Sequence, residues 1–233
     1  TWRRERWTTP DQDFVDVDFC ESATATLPRP LLVLFHGLEG SSGSHYAQAF
    51  ADWAHHNGCD IAVPHFRGCS GTLNLAPRAY HSGDHEEVHH LLVKFKQRVD
   101  AQKRPGLLAA GVSLGGNALM RWAGEQGQAA QKVVQAIASI CSPLDLTASG
   151  KAIGEGFNRQ VYTRMFLRTM KPKALQKLAQ HPGLFKREAL LAARTLYDFD
   201  NVFTAPLHGF KSTEDYWARA SAKPHLHTIR IPA

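Results

Sequence analysis

The sequence predicts an α/β fold with a mostly parallel, doubly wound sheet and an inserted helical cap. Apolar runs of strand length alternate with helical patterns between residues 31 and 141, and this alternation places helices on both faces of a parallel sheet. Residues 155–222 break the alternation, because they carry helical stretches only. Since 233 residues can bury a substantial core, we expect one domain, with its core at about 10–150 and 224–233 and the cap at about 151–223.

Five segments have the length and composition of strands. Residues 14–19 alternate Val and Phe with Asp, which predicts a half-exposed strand at a sheet edge. Residues 31–35 (LLVLF) are apolar throughout, as in a strand that is covered on both faces. Apolar runs at 59–66, 106–112 and 133–141 predict three more strands of the parallel sheet.

Helical spacing of apolar residues fills the gaps between these strands. In residues 45–57 the apolar positions recur at helical intervals, and Gly58 stands where a helix would end. Residues 84–100 carry one apolar stripe, and residues 115–125 follow the strand at 106–112 directly. The helices are therefore expected to connect parallel strands by right-handed crossovers.

Charge, cysteines and hydropathy exclude several classes of protein. The net charge is +6, from 27 Lys and Arg against 21 Asp and Glu, but the basic residues are scattered, so we expect no nucleic-acid partner. The four cysteines have no metal-ligand spacing. No apolar run approaches the ~20 residues that span a bilayer, and the N-terminus TWRRERW lacks the apolar core of a signal peptide. We expect a cytoplasmic protein without a transmembrane segment.

Ser113 lies in the sequence GVSLG, between Gly111 and Gly115, after an apolar strand and before a helix. Acyl transfer by a serine needs the hydroxyl held clear of the sheet on a sharp strand-to-helix turn, and the two glycines make room for that turn. The same position suits a serine that merely caps the helix, because Ser is a favoured N-cap residue. The pattern predicts a nucleophile and leaves the capping role open.

A second glycine-rich loop, FHGLEGSSG at residues 35–43, follows the first buried strand. In enzymes with this kind of nucleophile, the loop at that place donates one N–H to the oxyanion. The backbone amides of Leu38 and Leu114 are then the predicted oxyanion hole. The alternative is a phosphate-binding loop, but the segment lacks the Lys-Ser/Thr ending of a P-loop and the G-x-G-x-x-G spacing.

Five motifs occur in one order along the chain: HGLEGSSGSHYAQAFA, PHFRGCSG, YHSGDHEEV, GVSLGGNALMRW and CSPLDL. Together with GFNRQVYTRMFLRTMKPKA, they resemble the YheT-like branch of the α/β-hydrolases, carboxylesterases related to lipid-ester hydrolases of plants and animals. The resemblance implies an eight-stranded α/β-hydrolase core with a helical cap and a Ser-Asp-His triad. It places the nucleophile at Ser113 and the oxyanion loop at His36–Gly40. Supporting positions in the loop and the turn are His36, Gly37, Gly111 and Gly115.

A competing motif, HEEVH at residues 85–89, matches the H-E-x-x-H pattern of zinc proteases. His85 and His89 would be the ligands and Glu86 the general base. No downstream G-x-x-H supplies a third ligand, and a chain with 13 histidines makes chance matches more frequent. We expect no bound metal and keep a zinc hydrolase as the less favoured alternative.

The acid and the base of a triad on this fold follow the serine along the chain. The histidines after the serine are His181, His208, His225 and His227. All four lie in the cap-like region or just before the last strand, since residues 227–233 resemble the opening of another buried strand. We therefore expect the acid, the base and the C-terminal strand or strands to lie beyond Ala233. A self-contained alternative pairs Asp145 with His208 or His225.

Residues 157–173 combine apolar side chains with five Arg and Lys residues at helical spacing. Such a helix can lie at a lipid surface, or it can simply pack its apolar face on the domain. We expect a serine esterase without a cofactor, which forms an acyl-enzyme on Ser113 from a small-molecule or lipid ester with an apolar acyl group and contacts membranes transiently at most. The alternative from another class is a non-catalytic binding module that keeps the same fold.

Overall fold

A computed structural model describes residues 1–233 and places six strands in one sheet. The strands are β1 Arg3–Thr8, β2 Phe14–Cys20, β3 Leu31–Phe35, β4 Asp60–Pro64, β5 Leu107–Val112 and β6 Ala136–Ile140. Their order across the sheet is β1-β2-β4-β3-β5-β6. Strands β4, β3, β5 and β6 run parallel, whereas β1 and β2 pair antiparallel at one side. The predicted α/β class with a mostly parallel sheet is confirmed.

Helices cover both faces of this sheet. The α-helices are α1 His45–His56, α2 His85–Ala101, α3 Leu114–Gln126, α4 Leu146–Ile153, α5 Gly156–Asn158, α6 Arg164–Gln180, α7 Arg187–Ala192, α8 Leu196–Phe199, α9 Ala205–Leu207 and α10 Thr213–Ala220; 3₁₀ helices span Gly127–Lys132 and Lys223–Thr228, and π-helical turns span Arg159–Thr163 and Asp200–Thr204. Helix α1 packs on one face through Ala47 and Ala54. Helices α2 and α3 pack on the other, where Leu92, Leu119 and Trp122 are fully buried. Each helix buries its apolar stripe against the sheet, as the periodicity predicts.

Strand β2 differs from the prediction of a half-exposed edge strand. Its neighbour β1 forms the edge, and Asp16 and Asp18 are only 2% and 3% exposed. Arg6 Nε donates to Asp16 Oδ1 and Arg4 Nε donates to Asp18 Oδ1, both at 2.7 Å. The prediction was wrong because alternating acidic residues usually indicate a solvent-facing side of a strand. Here the arginines of β1 form hydrogen bonds with the carboxylates of β2, so these carboxylates can be buried.

Residues 146–220, which we call the helical segment, contain no strand. The segment has a small apolar core of its own, made by Leu167, Ala174, Leu190, Phe199 and Phe203 among others. Helix α5, the first π-helical turn and α6 join into one run from Gly156 to Gln180. None of the helices in the structure combines the length and the apolar character that crossing a bilayer requires.

The last residues do not form the predicted strand. Lys223–Thr228 is a 3₁₀ helix, and residues 229–233 have no regular structure. One bond of strand type remains, because Ile137 N of β6 donates to Pro232 O at 2.9 Å, and Ile231 is buried beside it. A single bond of this kind does not make a ladder, so residues 229–233 are not a strand.

Candidate active site

Ser113 occupies the turn between β5 and α3 in a strained backbone conformation. Its φ is 52° and its ψ is −119°, values that L-residues rarely adopt. Its N–H donates to Ile140 O of β6 at 2.9 Å, and α3 begins at the next residue, Leu114. Such strain costs on the order of 1–3 kcal/mol and persists only where the surroundings enforce it, which is typical of functional sites.

The hydroxyl of Ser113 is not used as a helix cap. The residue stands at the N-cap position of α3, but no side-chain capping bond forms. Its carbonyl oxygen instead accepts from Gly116 N at 3.0 Å and Asn117 N at 3.1 Å. The capping role that the sequence left open therefore finds no support, and the half-buried hydroxyl lines a cavity.

Glycines pack against the turn where a side chain would not fit. A Cβ on Gly111 would lie 2.5 Å from Gly115 O and from Gly116 Cα. A Cβ on Gly115 would meet Phe35 O and would lie 2.5 Å from His36 O at the end of β3. Real Cβ atoms do not approach backbone atoms so closely, so the strand-to-helix turn requires glycine at both positions.

The loop after β3 runs beside this turn and leaves the amide of Leu38 free. A Cβ on Gly37 would lie 3.3 Å from Ser113 Cβ. Gly37 N donates to Tyr46 Oη at 2.8 Å, and Glu39 N donates to Tyr80 Oη at 3.0 Å. Gly40 N donates to Gly37 O at 2.9 Å. Leu38 N has no acceptor. Leu114, as the first residue of α3, likewise has no intrahelical acceptor for its N–H. Both predicted oxyanion residues thus keep an unused donor.

His36 fixes the loop and stays neutral. Its Nδ1 donates to Gly37 O at 2.8 Å, and its Nε2 accepts from Phe66 N at 3.0 Å. Complete burial lowers the pKa of His36 to about 3. With both nitrogens engaged and no charged form at neutral pH, His36 supports the loop and is not available as a base.

Glu39, in the same loop, connects it to the helical segment, which the sequence analysis missed. Its φ is 58°, and its Oε1 accepts from Tyr80 Oη at 2.8 Å. Lys173 Nζ of α6 lies 2.8 Å from Glu39 Oε2, in an ion pair that lacks hydrogen-bond alignment. Burial raises the pKa of Tyr80 well above its usual value, so its hydroxyl stays a donor. No local pattern links residues 134 positions apart, so only the fold reveals this contact.

A cavity of about 680 Å³ opens in front of Ser113. Of its 20 lining residues, 12 are hydrophobic. Leu38 and Leu114 line it from the core, whereas Tyr162, Phe166 and Met170 line it from the long helical run. The cavity is large enough for a small organic molecule, and its mostly apolar wall favours an apolar group.

Asp200 is a half-buried carboxyl in this cavity that the sequence analysis also missed. It lines both the main cavity and an adjoining one of about 70 Å³. Burial raises its pKa to about 6, and Trp217 Nε1 donates to its Oδ2 at 2.9 Å. It begins the π-helical turn between α8 and α9, and such turns occur frequently at functional sites.

The internal acid and base candidates do not meet. Asp145 caps α4, where its Oδ1 accepts from Ala148 N at 3.0 Å and its Oδ2 from Lys223 Nζ at 3.1 Å. Both nitrogens of His208 face carbonyl oxygens, Thr204 O at 2.7 Å and Ala79 O at 3.2 Å. The alternative that pairs Asp145 with His208 is therefore wrong.

His225 is equally remote from the serine. A Cβ on Gly124 would lie 2.7 Å from His225 Cβ, which places this histidine at the C-terminal part of α3. Ser113 is at the other end of that helix, 11 residues away, or about 16 Å at 1.5 Å per residue. The nearest carboxylate to His225 is Glu125, with Nδ1 and Oε1 4.0 Å apart. Asp145 and His225 thus form no pair beside the nucleophile.

The H-E-x-x-H motif forms part of α2 without a metal-binding geometry. His89 Nδ1 accepts from Trp122 Nε1 of α3 at 3.1 Å, which uses one of its two nitrogens. Glu86 is exposed. No group of three His, Cys, Asp or Glu side chains comes together to hold a metal ion. The zinc alternative with His85, Glu86 and His89 gains no support from the structure.

A buried ionic network joins the loop after β4 to α2, beside the smaller cavity. Arg67 Nε donates to Glu87 Oε2 at 2.6 Å, and Arg67 Nη1 donates to Asp11 Oδ2 at 2.7 Å and to Asp13 Oδ2 at 3.2 Å. Burial and the nearby Asp84 raise the pKa of Glu87 to about 7. The network fixes the loop that carries Arg67 along the cavity wall.

Comparison with known proteins gives one family over most of the chain. The family described as "alpha/beta hydrolase fold" matches residues 30–226. The solved structure of esterase Est22 has a TM-score of 0.50 and 17% sequence identity, and the match covers 61% of this chain and 43% of that one. At this identity, the structural likeness concerns the fold alone.

Two curated relatives illustrate the sequence similarity. "Putative esterase YheT" of Escherichia coli (strain K12) is 37% identical over 230 residues, which cover 98% of this chain and 66% of the relative. "Monoacylglycerol lipase" of Saccharomyces cerevisiae is 26% identical over 213 residues, which cover 88% of this chain and 46% of the relative. The chain thus spans between about half and two thirds of the length of these relatives.

Proposed function

Because the chain belongs to the α/β-hydrolase family, we propose that it is a carboxylic ester hydrolase whose nucleophile is Ser113. One observation carries the proposal: the serine is held at a φ of 52° with its hydroxyl uncommitted and directed at a mostly apolar cavity. Strain that no capping bond explains is the signature of a residue placed for chemistry.

The reaction follows from the atoms around the serine. Ser113 Oγ attacks the ester carbonyl while a general base takes its proton, and the free amides of Leu38 and Leu114 donate to the resulting oxyanion. Collapse expels the alcohol, which takes the proton, and leaves an ester on Ser113. Water then attacks the carbonyl of this acyl-enzyme while the base takes its proton. Collapse returns that proton to Ser113 Oγ and releases the carboxylic acid. We place the base and its acid partner in residues outside this sequence, because no histidine of the chain pairs with Ser113.

The cavity supports an ester with an apolar acyl group as the substrate. Twelve hydrophobic lining residues give the acyl chain an apolar wall, and the long helical run forms one side of it. The helical segment thereby acts as a cap over the site. The relatives named esterase and monoacylglycerol lipase are consistent with a small-molecule or lipid ester.

The decisive experiment is active-site labelling of the full-length protein with a fluorophosphonate probe. We expect one adduct, on the peptide that contains Ser113, because only an activated serine displaces the fluoride. The Ser113→Ala variant serves as the control and is expected to remain unlabelled. Binding of an apolar ester without any adduct would instead favour the non-catalytic binding module.

The ion pair between Lys173 and Glu39 is proposed to position the oxyanion loop. Lys173→Met should lower kcat for a short p-nitrophenyl ester about tenfold with little change in KM, because a displaced Leu38 amide weakens the transition state more than the bound substrate. Lys173→Arg keeps the charge and should recover most of the activity. Lys186→Met, at an exposed lysine elsewhere in the helical segment, is the matched control. An equal loss in kcat from both methionine variants would refute the positioning role.

A further inference from the structure

A long stretch of the helical segment carries positive charge only. Between Glu155 and Glu188 the chain has no Asp or Glu, and it has eight Lys and Arg residues. Two of these lysines point inward: Lys177 is 3% exposed and donates to Asn74 O, and Lys173 pairs with Glu39. The remaining cations face outward, so this side of the molecule has a positive surface that no neighbouring acid in the sequence balances.

Five cations converge on one open groove of about 790 Å³ along the outer side of this run. They are Arg159, Arg164, Arg168, Lys171 and Arg194. None of the five forms an ion pair with a carboxylate, and Lys171 Nζ donates only to Leu191 O, at 2.8 Å. Asp198 lies close enough to interact with Arg159 and Lys171, but its Oδ2 already accepts from the backbone N–H groups of Arg194 and Thr195. The groove therefore presents donors and positive charge to solvent, with no carboxylate among its lining residues.

Large apolar side chains stand exposed on the same run. Phe157 is 77% exposed, Met165 is 52%, Tyr162 is 47% and Val161 is 41%. They follow helical spacing, with the groove cations on one flank. On the other flank, Asn158, Tyr162, Phe166 and Met170 line the cavity in front of Ser113. The run thus carries a basic flank, an exposed apolar edge and a cavity wall side by side.

We propose that the outer face of residues 156–171 docks on an anionic lipid bilayer surface. Each cation near such a surface is attracted to the anionic headgroups, while Phe157, Val161 and Met165 enter the interface between headgroups and acyl chains. A nucleic acid or a free phosphate would satisfy the cations and leave these apolar side chains in water. The docking stands independently of catalysis, whereas its consequence, presentation of a lipid ester to the cavity mouth, rests on the proposed function.

The test measures binding of the full-length protein to vesicles of ether-linked phospholipids, which offer no carboxylic ester bond to cleave. We expect binding to vesicles that contain the ether-linked lipid with an anionic phosphoglycerol headgroup, and much weaker binding to vesicles of the ether-linked phosphocholine lipid alone. The variant Arg159→Gln, Arg164→Gln, Arg168→Gln should bind the anionic vesicles on the order of 100-fold more weakly, at about fivefold per cation. The control Lys186→Gln, Arg187→Gln removes two exposed cations of the same acid-free stretch outside the groove and should change binding by less than about fivefold.

A second variant separates docking from simple charge attraction. Phe157→Ser with Met165→Ser keeps every cation and should still weaken vesicle binding, because the apolar contribution is lost. Inorganic phosphate at constant ionic strength should not displace the protein from vesicles. Displacement by phosphate, equal binding to both vesicle types, or no vesicle binding at all would each overturn the proposal. Since fluorophosphonate labelling is read separately, failure of docking and failure of the esterase assignment are distinguishable.

Discussion

Ser113→Ala in the full-length protein should lower kcat for ester hydrolysis by about 10⁴ to 10⁶, because the variant lacks the hydroxyl that forms the acyl-enzyme in the proposed reaction. The loss should appear in kcat and kcat/KM alike, since the hydroxyl acts in the transition state and contributes little to substrate binding. The Leu38 and Leu114 amides and the cavity remain, so a small residual rate is expected. The measurement is steady-state hydrolysis of a p-nitrophenyl ester, with Ser70→Ala as a serine control away from the cavity.

The same position offers a stability readout that does not depend on activity. Alanine keeps the Cβ and therefore keeps the strain at a φ of 52°, whereas Ser113→Gly relieves it. The glycine variant should be as inactive as the alanine variant and should melt higher than it, by an amount that corresponds to roughly 1 kcal/mol. Full activity in either variant would remove Ser113 from the chemistry, and equal melting of the two would contradict a strained turn.

Local sequence patterns anticipated the parts of the fold whose cause is local. The uninterrupted apolar residues 31–35 predict a buried strand, and Gly58, which has a positive φ, predicts the end of the preceding helix. The glycines around Ser113 predict a turn too crowded for larger side chains. The resemblance to the YheT-like branch is confirmed by sequence similarity over 98% of the chain. Strand β1 was not anticipated, because its charged residues have no apolar face and are specified by carboxylates of β2.

The parts of the site that sequence reasoning missed are pairwise and distant. Glu39 and Lys173 are far apart in the chain, and each alone reads as an ordinary surface residue. Asp200 lies in a stretch without strand or glycine signals, and only the packing of Trp217 and the cavity gives it a role. Periodicity reports which side of an element is buried, but it carries no information on which buried polar groups pair across elements.

Arg67→Met should destabilise the protein by about 3–5 kcal/mol, because it leaves a buried carboxylate without its counterion. Asp13 would remain satisfied, since it also accepts from the backbone amides of Leu75 and Ala76 at 2.9 and 2.8 Å. Glu87 would lose its only hydrogen-bond partner, because its Oε2 is bonded only to Arg67 and its Oε1 already has no partner. The loss is measured as the free energy of unfolding in urea at neutral pH and at higher pH.

The pH dependence identifies Glu87 as the cause. The pKa of Glu87 is already raised from 4.5 to about 7 in the native protein, and removal of Arg67 raises it further. An acid whose native pKa exceeds its unfolded pKa makes the native state bind more protons, so stability falls as pH rises above about 4.5. Both native states hold this proton below about pH 7, so the part of the Arg67→Met deficit that is due to Glu87 should grow as the pH rises above about 7 and should stay level below it.

A second substitution decides between a lost ion pair and a general packing defect. Arg67→Met with Glu87→Leu removes both buried charges together, and such double replacements by apolar groups are often neutral. We expect the double variant to regain most of the lost stability and to lose the pH dependence, whereas a packing defect around the introduced methionine side chain would persist in it. A single variant as stable as the wild type would mean that water or Arg78 compensates Glu87, and the network would then contribute little to holding the cavity wall.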